Sequence, residues 1–479
     1  MAGQIGKLLT HTMVYGLGNF ISKGLMFLLM PLLTNTISPD EYGKFGIAQT
    51  FIGLAEVFFM VGMRQAILRY RVKEGCSPEE VFSAGMHWIF IACAVFTAAL
   101  VLLRGPVDRL LTLDSPAIFR SMLFILVLDA MAVGPFAWLQ STQRSHYYVG
   151  LRLAHVAVYF TFCFYFIILK KQTGVNAVLL ANIGASTVQL LFCIPVFLKN
   201  LRFTLNRGLM QRMIAFGLPY IPNVVFVIVI DLIDRILLAR LMDHEAVGQY
   251  SAACKLAAVM FLAVSAFQTA WQPFFLSHLK SGDTGSRLFS RVLTYYFLVT
   301  ALIFISMGLF YPEIASFSVG GFSVIGAGYR QGLAVIPVIL LAYVFCGIYT
   351  NFIVGIYAKE KTIYIPFITF VGAFLNVSVN FIAIPRFGIM GAALTTLLSY
   401  AAIAALLYPI SMRLFYIRYE WGRILKITLI TGALFLAGTI AGNVWIKLIL
   451  ALSFLPMLYL ARFFNDEEKA RVRKWILRT

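Results

Sequence analysis

Long apolar stretches, separated by short polar loops, run along almost the whole chain. Each stretch is long enough to cross the roughly 30 Å hydrocarbon core of a bilayer as a helix, which takes about 20 residues. In lipid, a helix satisfies its backbone hydrogen bonds within one segment. The pattern therefore predicts an all-α polytopic membrane protein with about fourteen transmembrane helices. The predicted spans are 9–33, 44–65, 82–103, 119–140, 149–169, 176–198, 213–238, 249–276, 291–311, 331–357, 363–384, 390–410, 425–442 and 446–463.

Basic side chains are concentrated in every second loop between these spans. The chain has 39 Lys and Arg against 20 Asp and Glu, a net charge of +19. Such an excess can indicate nucleic-acid binding, but its alternation between loops is the positive-inside bias of membrane proteins. Arg69 and Arg71 lie in one basic loop, and Arg207 and Arg212 lie in another. We therefore predict that both termini are cytoplasmic and that nucleic acid is not a partner.

The composition excludes a soluble fold and offers little for catalysis. Hydrophobic residues make up 61% of the chain and charged residues 12%, about half of the charged share of a typical soluble protein. A membrane enzyme would need clustered catalytic carboxylates and histidines, or a large loop to carry them. The sequence shows neither, and its six Cys and six His have no metal-ligand spacing. We predict a protein that is not an enzyme and holds no metal or cofactor.

One segment of the chain occurs twice. The segment LLTNTISPDEYGKF, which begins at Leu32, recurs as LLARLMDHEAVGQY, which begins at Leu237. The repeat predicts two pseudo-symmetric six-helix halves at residues 1–205 and 206–412, followed by helices 13 and 14 with a basic cytoplasmic tail at 413–479. Parallel repeats of this kind place a substrate site between the halves, near the middle of the membrane.

Four motifs resemble those of one group of transporters. They are the run Trp271–Phe274 (WQPF), the pair Asp234 and Arg235, the pair Lys361 and Thr362, and above all Asn376–Ala393 (NVSVNFIAIPRFGIMGAA). They are similar to motifs of the polysaccharide-transporter branch of the multidrug, oligosaccharidyl-lipid and polysaccharide exporter superfamily. Within that branch, the chain resembles the Wzx-type O-antigen flippases.

The resemblance implies a role in polysaccharide and lipopolysaccharide biosynthesis at the bacterial cytoplasmic (inner) membrane. Flippases of this type turn undecaprenyl-pyrophosphate-linked oligosaccharide repeat units from the cytoplasmic to the periplasmic leaflet by alternating access, with ion coupling. The implied partners are this lipid-linked substrate and membrane lipids, with a polysaccharide polymerase and chain-length proteins as candidate protein partners. The main alternative is a multidrug or cation antiporter of the same fold, which would favour an acidic cavity. A membrane-embedded polysaccharide polymerase is the other alternative.

Polar residues inside the predicted spans are candidate site residues, because a charged group at membrane depth costs at least about 2.5 kcal/mol unless it faces a cavity or a partner. Positive charge for the pyrophosphate is available from Lys23, Arg235 and Lys255. The candidate ligands for sugar hydroxyls are Asn19, Asn223, Gln268 and Gln272. Each also has a structural interpretation, as a hydrogen bond between helices or as a cation drawn to the membrane interface.

Three acids within the spans are candidates for ion coupling. Glu56 and Asp129 lie near the middle of their spans, where a carboxyl group can carry a coupling proton or act as a neutral structural hydrogen-bonding group. Asp231 lies four residues before Arg235, so these two can instead form an internal ion pair on one helix face. At the level of sequence, both interpretations stay open.

Overall fold

The computed structural model describes residues 18, 21–22, 24–71, 77–113, 115–204, 206–279, 282–466 and 468. Most of these residues are helical. Ten of their helices are long and apolar enough to cross a membrane, and one bent pair of helices passes the same test as an eleventh span. The predicted all-α polytopic fold class is confirmed. The count of about fourteen spans and the side of the termini stay predictions.

Serine and proline start three of the helices in the first part of the chain. The helices described there are α1 (Leu29–Thr36), α2 (Pro39–Met60), α3 (Met63–Tyr70), α4 (Pro78–Leu102), α5 (Arg104–Leu111), α6 (Pro116–Ser141), α7 (Ser145–Phe164) and α8 (Val175–Asn200), with a π-helical turn at Tyr165–Leu169. Ser38, Ser77 and Ser115 each accept a hydrogen bond from the backbone N–H three residues on, at 3.4, 3.2 and 3.5 Å. The proline that follows each serine takes the first helical position, where no backbone donor is needed.

Longer helices dominate the second part of the described chain. They are α9 (Arg207–Gly217), α10 (Tyr220–Leu241), α11 (His244–His278), α12 (Gly282–Ser316), α13 (Ile336–Phe352), α14 (Val354–Ala358), α15 (Tyr364–Leu414), α16 (Trp421–Ala441) and α17 (Val444–Leu460). A 3-10 helix at Ala327–Val335 leads directly into α13.

Backbone geometry decides two of the predicted regions. The predicted spans 363–384 and 390–410 lie on either side of a kink at Gly388 (φ 58°, ψ −139°), where two helices meet within α15. Side chains rarely tolerate that φ, so glycine supplies there the turn that the pattern placed in a loop. The predicted span 213–238 is instead the pair α9 and α10, which are bent by 42° where Pro219 precedes α10.

A short β-hairpin that the apolar pattern did not predict precedes the 3-10 helix. Strand β1 (Ser318–Val319) pairs antiparallel with β2 (Phe322–Ser323). The turn residues Gly320 and Gly321 have φ values of 61° and 88°, as the first and second turn residues of a tight hairpin require. Asn35 Nδ2 donates to the last carbonyl of β2 at 2.6 Å. The hairpin is thereby fixed to the end of α1.

The two copies of the repeated segment meet where α2 and α11 begin. A Cβ atom on Gly43 would lie 1.8 Å from the carbonyl oxygen of His244, and one on Gly248 would lie 1.9 Å from the carbonyl oxygen of Pro39. The offset of 205 residues that relates the two copies maps Gly43 onto Gly248 and Pro39 onto His244, so the two contacts are equivalent. The two helices therefore approach so closely that neither position accepts a side chain.

The chain divides into two compact units. The first comprises Met1–Leu256, Ser318–Val335 and Ile365–Ser399, and the second comprises Ala257–Phe317, Ile336–Tyr364 and Tyr400–Thr479. The predicted halves, with boundaries at residues 205 and 412, stay a prediction. In the second unit, helices α12, α16 and α17 and the residues just after α17 share a hydrophobic core of Ala301, Ile305, Leu309, Ile427, Leu434, Phe454, Leu458 and Phe463.

Polar contacts fix the end of the described chain within the second unit. Arg423 pairs with Glu420 at 2.9 Å and with Glu468 at 2.8 Å. Burial on its own raises the pKa of Glu468, but the hydrogen bonds that this carboxylate accepts, first among them that from Tyr295, outweigh burial and hold its pKa below the ordinary value. Because these donors stabilise the ionised form, the anchor weakens as the pH falls through that pKa.

Cysteine labelling tests the predicted orientation. An impermeant thiol reagent should label Ser318→Cys in intact cells, and it should label Thr204→Cys only after permeabilisation. Both positions are exposed, but Ser318 lies in a loop segment poor in basic residues and Thr204 lies among Lys199, Arg202 and Arg207. Labelling of Thr204→Cys in intact cells at the rate of Ser318→Cys would reverse the orientation.

Candidate functional site

Polar residues of the first unit form two clusters, each defined by its contacts. The N-terminal cluster consists of Glu56, Arg64, Asp129, Gln140, Tyr148 and Arg152, and the C-terminal cluster consists of Asp234, Arg235, Tyr250 and Thr396. Two predicted site residues, Asn19 and Lys23, lie outside the described residues. Within the described residues, no group of three or more His, Cys, Asp or Glu side chains could hold a metal ion.

The N-terminal cluster contains both predicted mid-span acids. Glu56 on α2 lies close enough to Asp129 on α6 for their charges to interact. Asp129 accepts a hydrogen bond from Ser186 Oγ at 2.7 Å, and that hydroxyl lies 3.5 Å from His155 Nε2. Proximity of two acids suits ion coupling, while the bond to Ser186 also suits a structural acid. Both interpretations of these acids therefore stay open.

Two arginines stand beside the acids. Arg64, near the start of α3, donates from Nη2 to Gln140 Oε1 at 3.0 Å and to the Tyr148 hydroxyl at 3.5 Å. The Arg152 guanidinium on α7 lies over the rings of Phe136 and Tyr148, at 5.1 and 5.9 Å from their centroids. Both guanidinium charges also act on the carboxyl group of α2. The cluster thus combines carboxyl groups, guanidinium groups and an amide among apolar helices.

A break between α2 and α3 aims Arg64 at this cluster. Val61 and Gly62 both adopt left-handed backbone conformations, with φ values of 44° and 66°, so the chain turns before α3 begins. A Cβ atom on Gly62 would lie 2.5 Å from the carbonyl oxygen of Gly217 at the end of α9. Glycine is therefore required there both by the turn and by the close approach of α9. The turn brings Arg64 to side chains of α6 and α7.

The C-terminal cluster surrounds one buried carboxylate. Asp234 is 1% exposed and accepts hydrogen bonds from Arg235 at 3.0 Å, from the Tyr250 hydroxyl at 2.5 Å and from Thr396 Oγ1 at 3.4 Å. Arg235 also donates to the backbone carbonyl of Asp231 at 2.9 Å. Several donors around one buried charge compensate the loss of hydration. The guanidinium predicted to bind pyrophosphate is thus bonded within its own helix, which favours its structural interpretation.

Buried amides join α10 to α15 near this cluster. Asn380 donates to Asn376 Oδ1 at 3.1 Å, and Asn376 donates to the carbonyl of Ile230 at 3.5 Å. Asn223, a predicted sugar ligand, accepts a hydrogen bond from Thr369 at 3.0 Å. Hydrogen bonds of this kind hold helices together in lipid, and they favour the structural interpretation of Asn223.

The remaining predicted ligands lie on α11. Lys255 Nζ lies 5.6 and 5.5 Å from the ring centroids of Tyr42 and Phe45, so its charge rests on aromatic faces. Gln268, in the second unit, donates to a threonine hydroxyl of α13 at 2.8 Å. Gln272 is exposed. Gln272 therefore keeps its amide available for a ligand, whereas Gln268 is bonded to a neighbouring helix.

Seven residues of the two clusters lie outside the set of site residues proposed from the sequence, namely Arg64, Gln140, Tyr148, Arg152, Asp234, Tyr250 and Thr396. Arg64 counts there among the loop charges, and Tyr250 and Thr396 give no signal. Arg152 does carry a signal in the sequence, because it lies about two turns into its helix and shares a helix face with the tyrosine four residues earlier.

The chain matches known proteins in sequence and in fold. The sequence model of the family described as "polysaccharide biosynthesis protein" matches residues 8–279, more than half of the chain. "Lsg locus putative protein 1" of Haemophilus influenzae is 24% identical over 278 residues, which cover 57% of this chain and 67% of that protein. The lipid II flippase MurJ in an inward closed conformation superposes with a TM-score of 0.74 at 14% identity, covering 94% of this chain and 100% of MurJ. An inward-facing multidrug resistance MATE family transporter of the MOP superfamily gives a TM-score of 0.66 at 12% identity, covering 82% of this chain and 94% of the transporter.

These likenesses first define a class, a multi-pass membrane protein with the transporter fold that MurJ and the MATE proteins share. The match over residues 8–279 then shows that the chain belongs to the polysaccharide biosynthesis protein family. The predicted resemblance to the polysaccharide-transporter branch of the superfamily is thereby confirmed.

Proposed function

We propose that the protein is a flippase for undecaprenyl-pyrophosphate-linked oligosaccharide repeat units, which it moves from the cytoplasmic to the periplasmic leaflet of a bacterial inner membrane. The observation that carries the proposal is the N-terminal cluster. A pyrophosphate needs cationic donors, sugars need neutral hydrogen-bonding groups, and the lipid tail needs apolar walls. Guanidinium groups, an amide and a phenol lie together there among apolar helices.

Ion coupling belongs to the proposal. Glu56 and Asp129 are the proposed carriers, because neighbouring carboxyl groups can take up a cation or proton on one side of the membrane and release it on the other. Asp231 is the third candidate, one turn before the C-terminal cluster. Alternating access would expose these groups to each side in turn. Lys23, Lys255, Asn19 and Gln272 remain proposed substrate contacts.

Export of cationic drugs is the alternative, since a multidrug transporter shares the fold. Arg64 and Arg152 argue against it, because they place positive charge beside the acids that a cationic drug would need. A polymerase would act after translocation, on units already in the periplasm. The site of the accumulating intermediate therefore separates the three functions.

Deletion of the gene tests the proposal. Lipid-linked repeat units should accumulate where an added lectin reaches them in inverted vesicles and not in spheroplasts, and surface polysaccharide should be lost. Drug susceptibility should stay unchanged. Complementation with Glu56→Gln should fail, whereas Glu80→Gln, the same change at the cytoplasmic start of α4 in the predicted orientation, should restore the polysaccharide.

The alternatives predict other outcomes of the same deletion. Repeat units that reach the periplasm but are not extended would assign the protein to polymerisation. Normal polysaccharide together with drug sensitivity would assign it to drug export.

A further inference from the structure

Arg64 and Arg152 differ from Arg235 in what they touch. Within the described part of the chain, neither forms an ion pair, and their bonded partners are an amide, a phenol and aromatic rings. Arg235 is instead bonded to the buried carboxylate of Asp234. Glu56 acts on Arg64 and Arg152 through space. The N-terminal cluster therefore holds two guanidinium groups, most of whose N–H donors have no acceptor among the described residues.

The geometry of these contacts leaves the binding edge of each guanidinium available. A guanidinium carries five N–H donors in its plane, whereas a ring beneath it contacts its face. Arg152 makes no hydrogen bond to any described residue, and Arg64 uses Nη2 alone. Two planar edges of this kind match the oxygens of a diphosphate, which accept hydrogen bonds in pairs.

Arg152 is accessible from outside the helices, and Arg64 is half-buried. Arg152 is exposed, although the rings beneath it, on Phe136 and Tyr148, are 7% and 3% exposed. The Arg152 guanidinium therefore packs against a ring of α6 and does not extend away from the protein. Arg64 contacts the same Tyr148. The two charges therefore border one accessible region where α3, α6 and α7 meet.

The depth of this region matches that of a lipid headgroup. Arg152 lies seven residues after α7 begins at Ser145, or about 10 Å along the helix at 1.5 Å per residue. Arg64 is the second residue of α3, just after the break at Val61 and Gly62. In the predicted orientation both positions are near the cytoplasmic edge of the hydrocarbon core, where lipid phosphates lie and long basic side chains reach them.

We propose that Arg64 and Arg152 form the loading site for the diphosphate of a lipid in the cytoplasmic leaflet, where its oxygens accept hydrogen bonds from the open edges of the two guanidinium groups. The inference rests on the proposed flippase function. It assigns the first contact with the headgroup to α3 and α7, whereas Arg235 on α10 serves the buried Asp234.

Binding of farnesyl pyrophosphate, a short isoprenoid diphosphate, to the purified full-length protein tests this site. Arg64→Gln and Arg152→Gln should each weaken binding by about tenfold or more, because each removes a charged donor pair. Lysine at either position should have an intermediate effect, since it keeps the charge and loses the planar fork. Glu56→Gln should tighten binding, because it removes a negative charge that interacts through space with both arginines.

Matched controls distinguish binding at this site from a general effect of protein charge and from binding of the lipid tail alone. Arg104→Gln changes the charge equally at an arginine that also lies over a ring, that of Phe119, and should leave binding unchanged. The double variant Asp234→Asn, Arg235→Gln should also bind normally. Farnesol, which lacks the diphosphate, should bind far more weakly.

If Arg64→Gln and Arg152→Gln both bind farnesyl pyrophosphate with wild-type affinity, the proposed site is wrong. It is also wrong if only the double variant at Asp234 and Arg235 loses binding. If the glutamine variants do not fold, the lysine variants decide, and wild-type affinity in both overturns it. Inorganic pyrophosphate binding as tightly as farnesyl pyrophosphate assigns the site to a soluble diphosphate and overturns the lipid assignment. The deletion experiment is a separate readout, so repeat units translocated without this protein would remove the flippase function while leaving the binding result intact.

Discussion

Replacing Arg235 by glutamine should remove most of the folded protein, and replacing Asp234 by asparagine in the same chain should restore it. Asp234 is 1% exposed, and its ion pair with Arg235 measures 3.0 Å. Removing one partner of a buried pair leaves an uncompensated charge and costs about 3–5 kcal/mol. Removing both leaves none. Thermal unfolding of the purified single and double variants, combined as a double-mutant cycle, measures the coupling.

The same chain offers a less buried pair as a control. Arg104 and Asp108 lie 3.2 Å apart, and their side chains are 44% and 15% exposed. Because solvent screens such a pair, the equivalent substitutions should cost about 0–1 kcal/mol. Equal coupling in the two pairs would show that burial of Asp234 does not matter. A double variant at 234 and 235 that folds but does not translocate would return Arg235 to the substrate site.

Gly43→Ala and Gly248→Ala should each disrupt folding as severely as a large core substitution. The added Cβ atom would lie 1.8 or 1.9 Å from a backbone oxygen of the opposite helix, and a backbone cannot move aside as a flexible side chain can. We expect a loss above about 3 kcal/mol, the upper end of ordinary overpacking. The yield of monodisperse protein and its unfolding temperature report this loss.

Two other helical glycines provide matched controls. A Cβ atom on Gly150 of α7 or on Gly432 of α16 would meet no atom within 4 Å. Alanine there should be neutral or stabilising by about 0.5–1 kcal/mol, because glycine is the weaker helix former. A comparable loss at Gly150 or Gly432 would mean that helix flexibility, and not the close approach of α2 and α11, explains the effect.

The fold class could be predicted from the sequence, because an apolar segment in lipid can satisfy its backbone hydrogen bonds in only a few ways. Spans such as α4 and α8 are long apolar runs bounded by polar loops, and such runs predict helices without any knowledge of their neighbours. The residues that mark the ends of helices were harder to interpret. Pro385 and Gly388 indicated a break between two spans, and helical geometry does break at Gly388, but a single non-helical residue makes the break without a loop. The cause is backbone conformation, which the apolar pattern does not encode.

The site was predicted in part, for a related reason. Mid-span acids stand out in sequence, so Glu56 and Asp129 could be named, and the structure places them together. The partner of Arg235 could not be chosen in the same way. Helical spacing pointed to Asp231, and the structure adds the neighbouring Asp234, which also accepts hydrogen bonds from Tyr250 and Thr396. Contacts between distant segments decide such choices.

The contact between α2 and α11 has a further consequence for the origin of the chain. Gly43 meets His244 and Gly248 meets Pro39, and this reciprocity is the mark of a two-fold axis between identical chains. An ancestor of half the length, carrying the segment once, would have made the same contact with a second copy of itself. Gene fusion would then have allowed the two copies to diverge, as Gly46 and Ser251 have at equivalent positions, whereas Gly43 and Gly248 stay glycine where a side chain would meet the opposite backbone.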